Sequence, residues 1–126
     1  MKYITSSSNP TIKEIKGLKR KKERWLKKLY LIEGVKIIGE YIKWVGVPES
    51  ILFSNELLDV TGGKELLKKI EKHNMELINI PYNLLKDLTD TENPQGILAV
   101  VKFNDASFEE LLQEKNKFII ILDELQ

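Results

Sequence analysis

The residues best equipped for chemistry are cations. Lys13, Lys16, Lys19, Arg20, Lys21, Lys22 and Arg24 crowd into one short segment. Flexible cations spaced along one element match the phosphates of a polyanion, and release of condensed counterions supplies the affinity. Residues 1–30 hold ten Lys/Arg against two acids, and residues 31–126 hold ten against seventeen. The formal net charge of +1 therefore conceals a bipolar chain, basic at one end and acidic in its body. That asymmetry points to a polyanion-binding arm. A solvated helix whose lysines only keep the protein soluble has the same composition, and composition leaves the two open. A helix lying on a membrane surface is the weaker alternative, because the apolar seam beneath these cations is narrow. Tyr3, Trp25 and Tyr30 are close enough in sequence to offer stacking surfaces for bases.

A second candidate is Glu33-Gly34-Val35-Lys36. A glycine at a strand-to-helix junction lets backbone N–H groups approach a ligand, and a helix N-terminus favours phosphate. Lys36 falls in the first turn of that helix. An ordinary turn glycine is the plainer account of the same residues. Gln95-Gly96, in the loop Asn93-Pro-Gln-Gly96, reads in the same two ways: an amide that reads a base edge, or a turn before a strand.

Other chemistry is scarce. The single histidine, His73, sits near a predicted helix end and reads as a terminal residue favoured by the dipole. Gly62-Gly63 lacks the spacing of a phosphate loop and reads as a turn. Asp87, Asp90 and Glu92 have no histidine and no fixed spacing, so a solvated loop is expected there and no metal site. Asp123 and Glu124 follow an apolar run, where α/β sheets place ligands. The absence of cysteine excludes disulfides and thiol chemistry and suits a reducing cytosol. No apolar run approaches the ~18 residues of a membrane span, and the N-terminus is no secretory signal.

These groups need elements to position them. The 42% hydrophobic content suffices for a core. Ser8 or Asn9 followed by Pro10 marks a helix start. Ile12, Ile15 and Leu18 form one seam, and Gly17 divides the segment from a second helix near Lys19–Lys28, with Trp25, Leu26 and Leu29 turned inward. A strand at Leu29–Ile32 leads to a helix over Val35–Val45. Val35, Ile38, Ile42 and Val45 mark its inner face, widened by Ile37, Tyr41 and Trp44. Strands follow at Ser50–Ser54, Glu76–Ile80, Ile97–Phe103 and Lys117–Leu122. Helices are expected at Lys64–His73, Pro81–Leu88 and Ser107–Glu114. The alternation gives an α/β layered domain. Phe118–Leu122 has the pattern of a strand buried on both faces, so the chain is expected to be a fragment cut just inside a second, parallel-sheet domain.

Four stretches, in order, resemble a known family. Ile4-Thr-Ser-x-x-Asn-Pro-x-Ile-Lys13 with Leu18, Lys21-Lys22 and Arg24, then Tyr30-Leu-Ile-Glu-Gly34-x-Lys36, Gln95-Gly96-Ile-Leu-Ala-Val100 and Ile121–Gln126 are similar to landmarks of the SpoU/TrmH-type RNA 2′-O-ribose methyltransferases. Two departures are visible: Tyr30 where phenylalanine is usual, and Lys28 where glycine often stands. The resemblance implies a three-layer α/β/α sandwich with a small mixed sheet, a ribosomal-protein-like RNA-binding fold, plus the first strand of a truncated knotted domain. It implies a basic helical arm over 1–28, an RNA substrate-binding domain over 29–104, and a linker helix and first methyltransferase strand over 105–126. It implies ribosomal or transfer RNA as partner, S-adenosylmethionine as cofactor of the full-length protein, a homodimer formed through the missing domain, and a cytoplasmic location. Catalytic and cofactor residues would lie beyond Gln126, and the fragment alone would be inactive. The expected RNA face is Lys13, Lys16, Lys19, Arg20, Lys21, Lys22, Arg24, Glu33, Gly34, Lys36, Gln95 and Gly96. Two rivals remain at this stage: a stand-alone ribosomal-protein-like RNA-binding module, and a protein-interaction domain whose basic arm docks an acidic partner.

Overall fold

A computed structural model describes residues 1–103. The helix at Ser107–Glu114, the strand at Lys117–Leu122, Asp123, Glu124 and the 105–126 segment lie outside them.

Asn9 starts the first helix as its sequence suggests. Its backbone is extended and its Oδ1 accepts from the Thr11 N–H at 2.9 Å, with Pro10 in the first position of α1 (Pro10–Gly17). Gly17 ends α1. The chain then turns through short bonds from Leu18, Lys19 and Arg20 N–H to the carbonyls of Ile15, Lys16 and Gly17, and α2 (Lys21–Lys27) follows. The seam of Ile12, Ile15 and Leu18 is fully buried.

The strands are β1 (Lys2–Tyr3), β2 (Leu29–Glu33), β3 (Ser50–Phe53), β4 (Leu77–Asn79) and β5 (Ile97–Lys102). They form one mixed sheet in the order β1-β4-β3-β5-β2. The β1–β4 and β3–β4 pairs are parallel, while β5 runs antiparallel to both of its neighbours, with Ile51 opposite Ala99 and Ile32 opposite Ala99 from the other side. The period of two decides which side chain enters which core. Ile97, Ala99 and Val101 of β5 join Ile51 and Phe53 beneath α3 (Val35–Trp44) and α4 (Gly63–Lys72). Leu98 and Val100 join Leu52 and Ile78 beneath α1 and α5 (Tyr82–Leu88). Helices therefore cover both faces, and α1 is part of one of those layers.

Several expectations need correction. α2 buries none of its residues: Trp25 is 40% and Leu26 73% exposed. Of the three residues expected inward, only Leu29 packs against a core. The reason is geometric. α2 is seven residues long and lies beside the edge strand β2, so among the described residues no layer faces its outer side. Trp25 instead meets the Phe103 ring edge-on at 5.2 Å. In α3 the buried residues are Ile38 and Tyr41, while Trp44 (47%) and Val45 (36%) face outward where the helix runs past the sheet. Tyr30 offers no open stacking face, being buried against Phe103 at 4.4 Å between ring centres. Two elements were not foreseen: β1, too short for any periodicity, and a 3-10 turn at Asn55–Asp59.

Candidate functional site

The strands β1 to β4 point the same way, so their C-terminal ends meet along one crest, where β5 begins. The crest carries Glu33-Gly34 and Gln95-Gly96. Gly34, at φ 103°, donates its N–H to the Ile97 carbonyl at 3.2 Å and has no side chain with which to cap α3. Gln95 caps the helix instead: its Oε1 accepts from the Val35 N–H at 2.8 Å. A Cβ on Gly34 would stand 3.2 Å from that oxygen, and one on Gly96 (φ 92°) would stand 2.9 Å from Leu57 N and 3.0 Å from Ser54 Oγ. Both glycines are therefore required by close approach and by backbone angle. With Oε1 engaged, the exposed Gln95 amide keeps its NH2 group as a fixed donor.

Glu33 accepts a hydrogen bond from the Thr91 hydroxyl. Burial, and secondarily the charge of Asp90, hold its carboxyl above the ordinary glutamate range. Glu33 is part of the lining of a cleft of about 310 Å3 between β2, the α1–α2 corner and the loop after α5. Leu18, Leu31, Leu88 and Leu98 line its floor, and Lys19, Arg24, Asp90 and Thr91 stand around it. Asp90 and Thr91 belong to the loop that the sequence showed only as polar.

The seven cations of the basic segment divide into two sets. Lys16 Nζ pairs with Asp87 at 2.8 Å, and Lys19 Nζ donates to the Asp87 carbonyl at 2.8 Å and lies 3.7 Å from Asp90. Arg24 donates to the carbonyls of Leu18 and Lys19 at 3.0 and 2.8 Å, closing the corner between α1 and α2, and its guanidinium lies 5.9 Å from the Tyr30 ring centre. Lys16 and Lys19 fasten the basic segment to α5 and the loop after it, and Arg24 braces the segment's own corner. Lys16, through its hydrogen bond and its charge, holds the Asp87 carboxyl below the usual aspartate range. Lys13, Arg20, Lys21 and Lys22 are exposed and make no ion pair among the described residues. They are the set available to an outside anion.

Lys36 is exposed too, but it lines the groove between α3 and α4 and not the cleft beside Glu33. His73 caps the end of α4, with Nδ1 2.7 Å from the Lys69 carbonyl oxygen, as expected of a helix-terminal residue. Gly62-Gly63 is a tight turn: a Cβ on Gly63 would meet the Leu57 carbonyl oxygen at 2.0 Å. Among the described residues no group of three His, Cys, Asp or Glu is placed to hold a metal, and no helix is long and apolar enough to cross a membrane.

A family model described as the MRM3-like substrate binding domain matches residues 9–99. The chain is 31% identical over 100 residues to the 23S rRNA (guanosine(2553)-2′-O)-methyltransferase RlmP of Bacillus subtilis. That alignment covers 79% of this chain and 37% of RlmP, so the chain spans little more than a third of the length of this relative. Among solved structures, one described as an RNA 2′-O ribose methyltransferase superposes with a TM-score of 0.67 at 25% identity, over 82% of this chain and 38% of that one. An rRNA methyltransferase from Sinorhizobium meliloti gives 0.66 at 18% identity, over 82% of this chain and 37% of that one. The SpoU methyltransferase AviRb from Streptomyces viridochromogenes, in complex with AdoMet, gives 0.61 at 22% identity, over 76% and 34%.

Proposed function

We infer the function from the family to which this chain belongs, the MRM3-like substrate-binding domains. The domain binds structured RNA, ribosomal or transfer, and holds it for methylation of a ribose 2′-hydroxyl by a second domain. The observation that carries this reading is the reach of the family match: residues 9–99 include the whole basic segment from Lys13 to Arg24 and both halves of the Glu33–Gln95 junction.

Lys13, Arg20, Lys21 and Lys22 contact phosphates directly. Lys16, Lys19 and Arg24 contribute by fixing the helices that present them. Glu33, Gly34, Gln95 and Gly96 form the second part of the RNA face, with the Gln95 NH2 group free to donate, and Lys36 extends it from the neighbouring α3–α4 groove. Phosphate and 2′-hydroxyl contacts of this kind recognise shape before sequence. The contribution to catalysis is positional: an RNA fixed on this surface presents its hydroxyl to the reacting group at high effective concentration. S-adenosylmethionine supplies the methyl group in the complete protein. Its site belongs to a knotted domain that follows this ribosomal-protein-like sandwich and forms a homodimer in the cytoplasm, and 105–126 links the two. Residues 1–126 alone bind RNA and transfer no methyl group.

Binding of the chain to 23S ribosomal RNA fragments and to transfer RNA across a salt series tests this reading. Affinity falls with salt at a log–log slope of about −0.7 to −0.9 per phosphate engaged. Absence of binding to either RNA at low salt overturns it, and calorimetric binding of S-adenosylmethionine to this chain overturns the division of labour.

A further inference from the structure

The cleft beside β2 is more specific than a phosphate-binding surface requires. Its apolar lining comes chiefly from the part-exposed Leu31, backed by the core residues Leu18, Leu88 and Leu98, and its volume of about 310 Å3 lies at the lower end of the range of small-ligand pockets. A phosphate backbone gains nothing from an apolar floor, whereas the flat body of a nucleobase does. The exposed Arg20, Lys21 and Lys22 follow directly on the α1–α2 corner, whose Lys19 lines the cleft. A strand held at that corner by its phosphates has a base within reach of the opening.

Glu33 identifies which base. An ionised carboxylate offers about four acceptor sites and no donor. Among the described residues only the Thr91 hydroxyl donates to this one. Neither Lys19 nor Arg24 reaches it: Lys19 is held by Asp87 and Asp90, and Arg24 by two backbone carbonyls. Glu33 is thus a half-buried acceptor with a single donor among the described residues, in the lining of a cleft of that volume. A partly buried carboxylate in this state gains from two N–H groups presented side by side. Guanine carries two adjacent donors, N1–H and N2–H, on its Watson–Crick edge. Adenine and cytosine each set one donor beside an acceptor there, and uracil has a single N–H between two carbonyls.

We propose that the cleft along β2 receives one unstacked guanine base of the bound RNA, read by two parallel hydrogen bonds to the Glu33 carboxylate, with Thr91 as the positioning residue. This rests on the RNA-binding reading above and adds a base-specific subsite to it.

The probes are RNA heptamers of uridine with guanosine, inosine, adenosine or cytidine at the centre, titrated into the full chain by fluorescence anisotropy. The guanosine heptamer binds about tenfold tighter than the adenosine and cytidine ones, the scale of one bidentate side-chain–base pair. Inosine, which lacks the N2 amine, falls between them. Glu33→Gln brings the guanosine-to-adenosine ratio to within about twofold of unity, because an amide cannot accept both bonds. Thr91→Val leaves the carboxylate in place, narrows the ratio less, and serves if the Glu33 variant does not fold. Equal binding of all four heptamers, or a preference that survives Glu33→Gln, overturns the guanine pocket. If the heptamers bind equally but with a normal salt slope, the RNA-binding reading stands without the pocket. If no RNA binds at all, both fall.

Discussion

α1 and α2 follow one another in the chain, are similarly short and are both rich in lysine, yet they end as different things. α1 has a side-chain cap at Asn9, a buried seam and one cation, Lys16, bonded to α5. α2 has no side-chain cap, buries nothing and ends on Lys28 in the left-handed conformation at φ 58°. The difference lies in what each helix has to lean on. Where apolar residues recur on one stripe facing a sheet, the helix docks and Lys16 reaches a carboxylate on α5, while Lys13 beside it stays free. Where that stripe is missing the helix stays on the surface, and Lys21 and Lys22 stay free for a ligand while Arg24 and Lys27 bond back within the α1–α2 segment. Charge density alone does not separate the two cases.

The contrast is broken most directly through the seam. Ile12→Ala removes a fully buried side chain of α1 and lowers stability by about 2–5 kcal/mol in chemical denaturation. Leu26→Ala, on the exposed face of α2, shifts it by no more than about 0.5 kcal/mol. Equal costs would mean that α2 is packed after all.

The second test moves from stability to binding. The triple change Arg20→Ala, Lys21→Ala and Lys22→Ala reduces the salt slope of RNA binding by about 2, close to one phosphate per cation, and leaves the melting curve in place. Lys16→Ala does the reverse, with an unchanged slope and a small loss of stability of about 0.2–1 kcal/mol. A slope that falls equally in both variants would erase the distinction between fasteners and free cations.

Two terminal residues sharpen the comparison by smaller amounts. Asn9→Ala costs about 1 kcal/mol through the lost cap on α1. Lys28→Gly stabilises by about 1 kcal/mol, since glycine adopts the left-handed conformation without the Cβ penalty. That angle also explains the departure noted in the sequence: glycine suits this position, and lysine is held there under strain.

The smallest effect is a titration. The Asp87 carboxyl, held low by the Lys16 hydrogen bond and charge and then by Lys19, titrates below its unfolded counterpart. The contact stabilises the fold above the unfolded carboxyl's range and loses that contribution as pH falls through the folded value. Carboxyl NMR detects the low midpoint, and Lys16→Ala raises it toward the ordinary range. An unchanged midpoint in that variant would remove the link between α1 and α5.

Much of this was readable from residues. The periodicities placed α1, α3, α4, α5 and four strands, and Asn9-Pro10 named its own helix start. Glu33-Gly34 and Gln95-Gly96 were both candidates, but their bond joins positions 60 apart and leaves no trace in either stretch. Nor does a run of lysines reveal which will find a carboxylate on α5. Trp25 and Leu26 misled because an apolar residue on a helix predicts burial only where another layer exists to receive it. β1 was invisible because it is held through its backbone, with both side chains outward.

The position of β5 has a consequence for how the chain is made. β5 is the last described strand in sequence but sits inside the sheet, between β3 and β2. Until Ile97–Lys102 has left the ribosome, β2 and the basic helices before it have no strand to pair with. α3 likewise waits for Gln95, because its N-terminal cap arrives from the loop before β5. β1, β4 and β3 can pair with one another before β5 emerges, so the late step is the docking of β2 and the capping of α3. The nascent chain carries its lysine-rich segment exposed for nearly the whole of that synthesis, at the surface of a particle made largely of RNA.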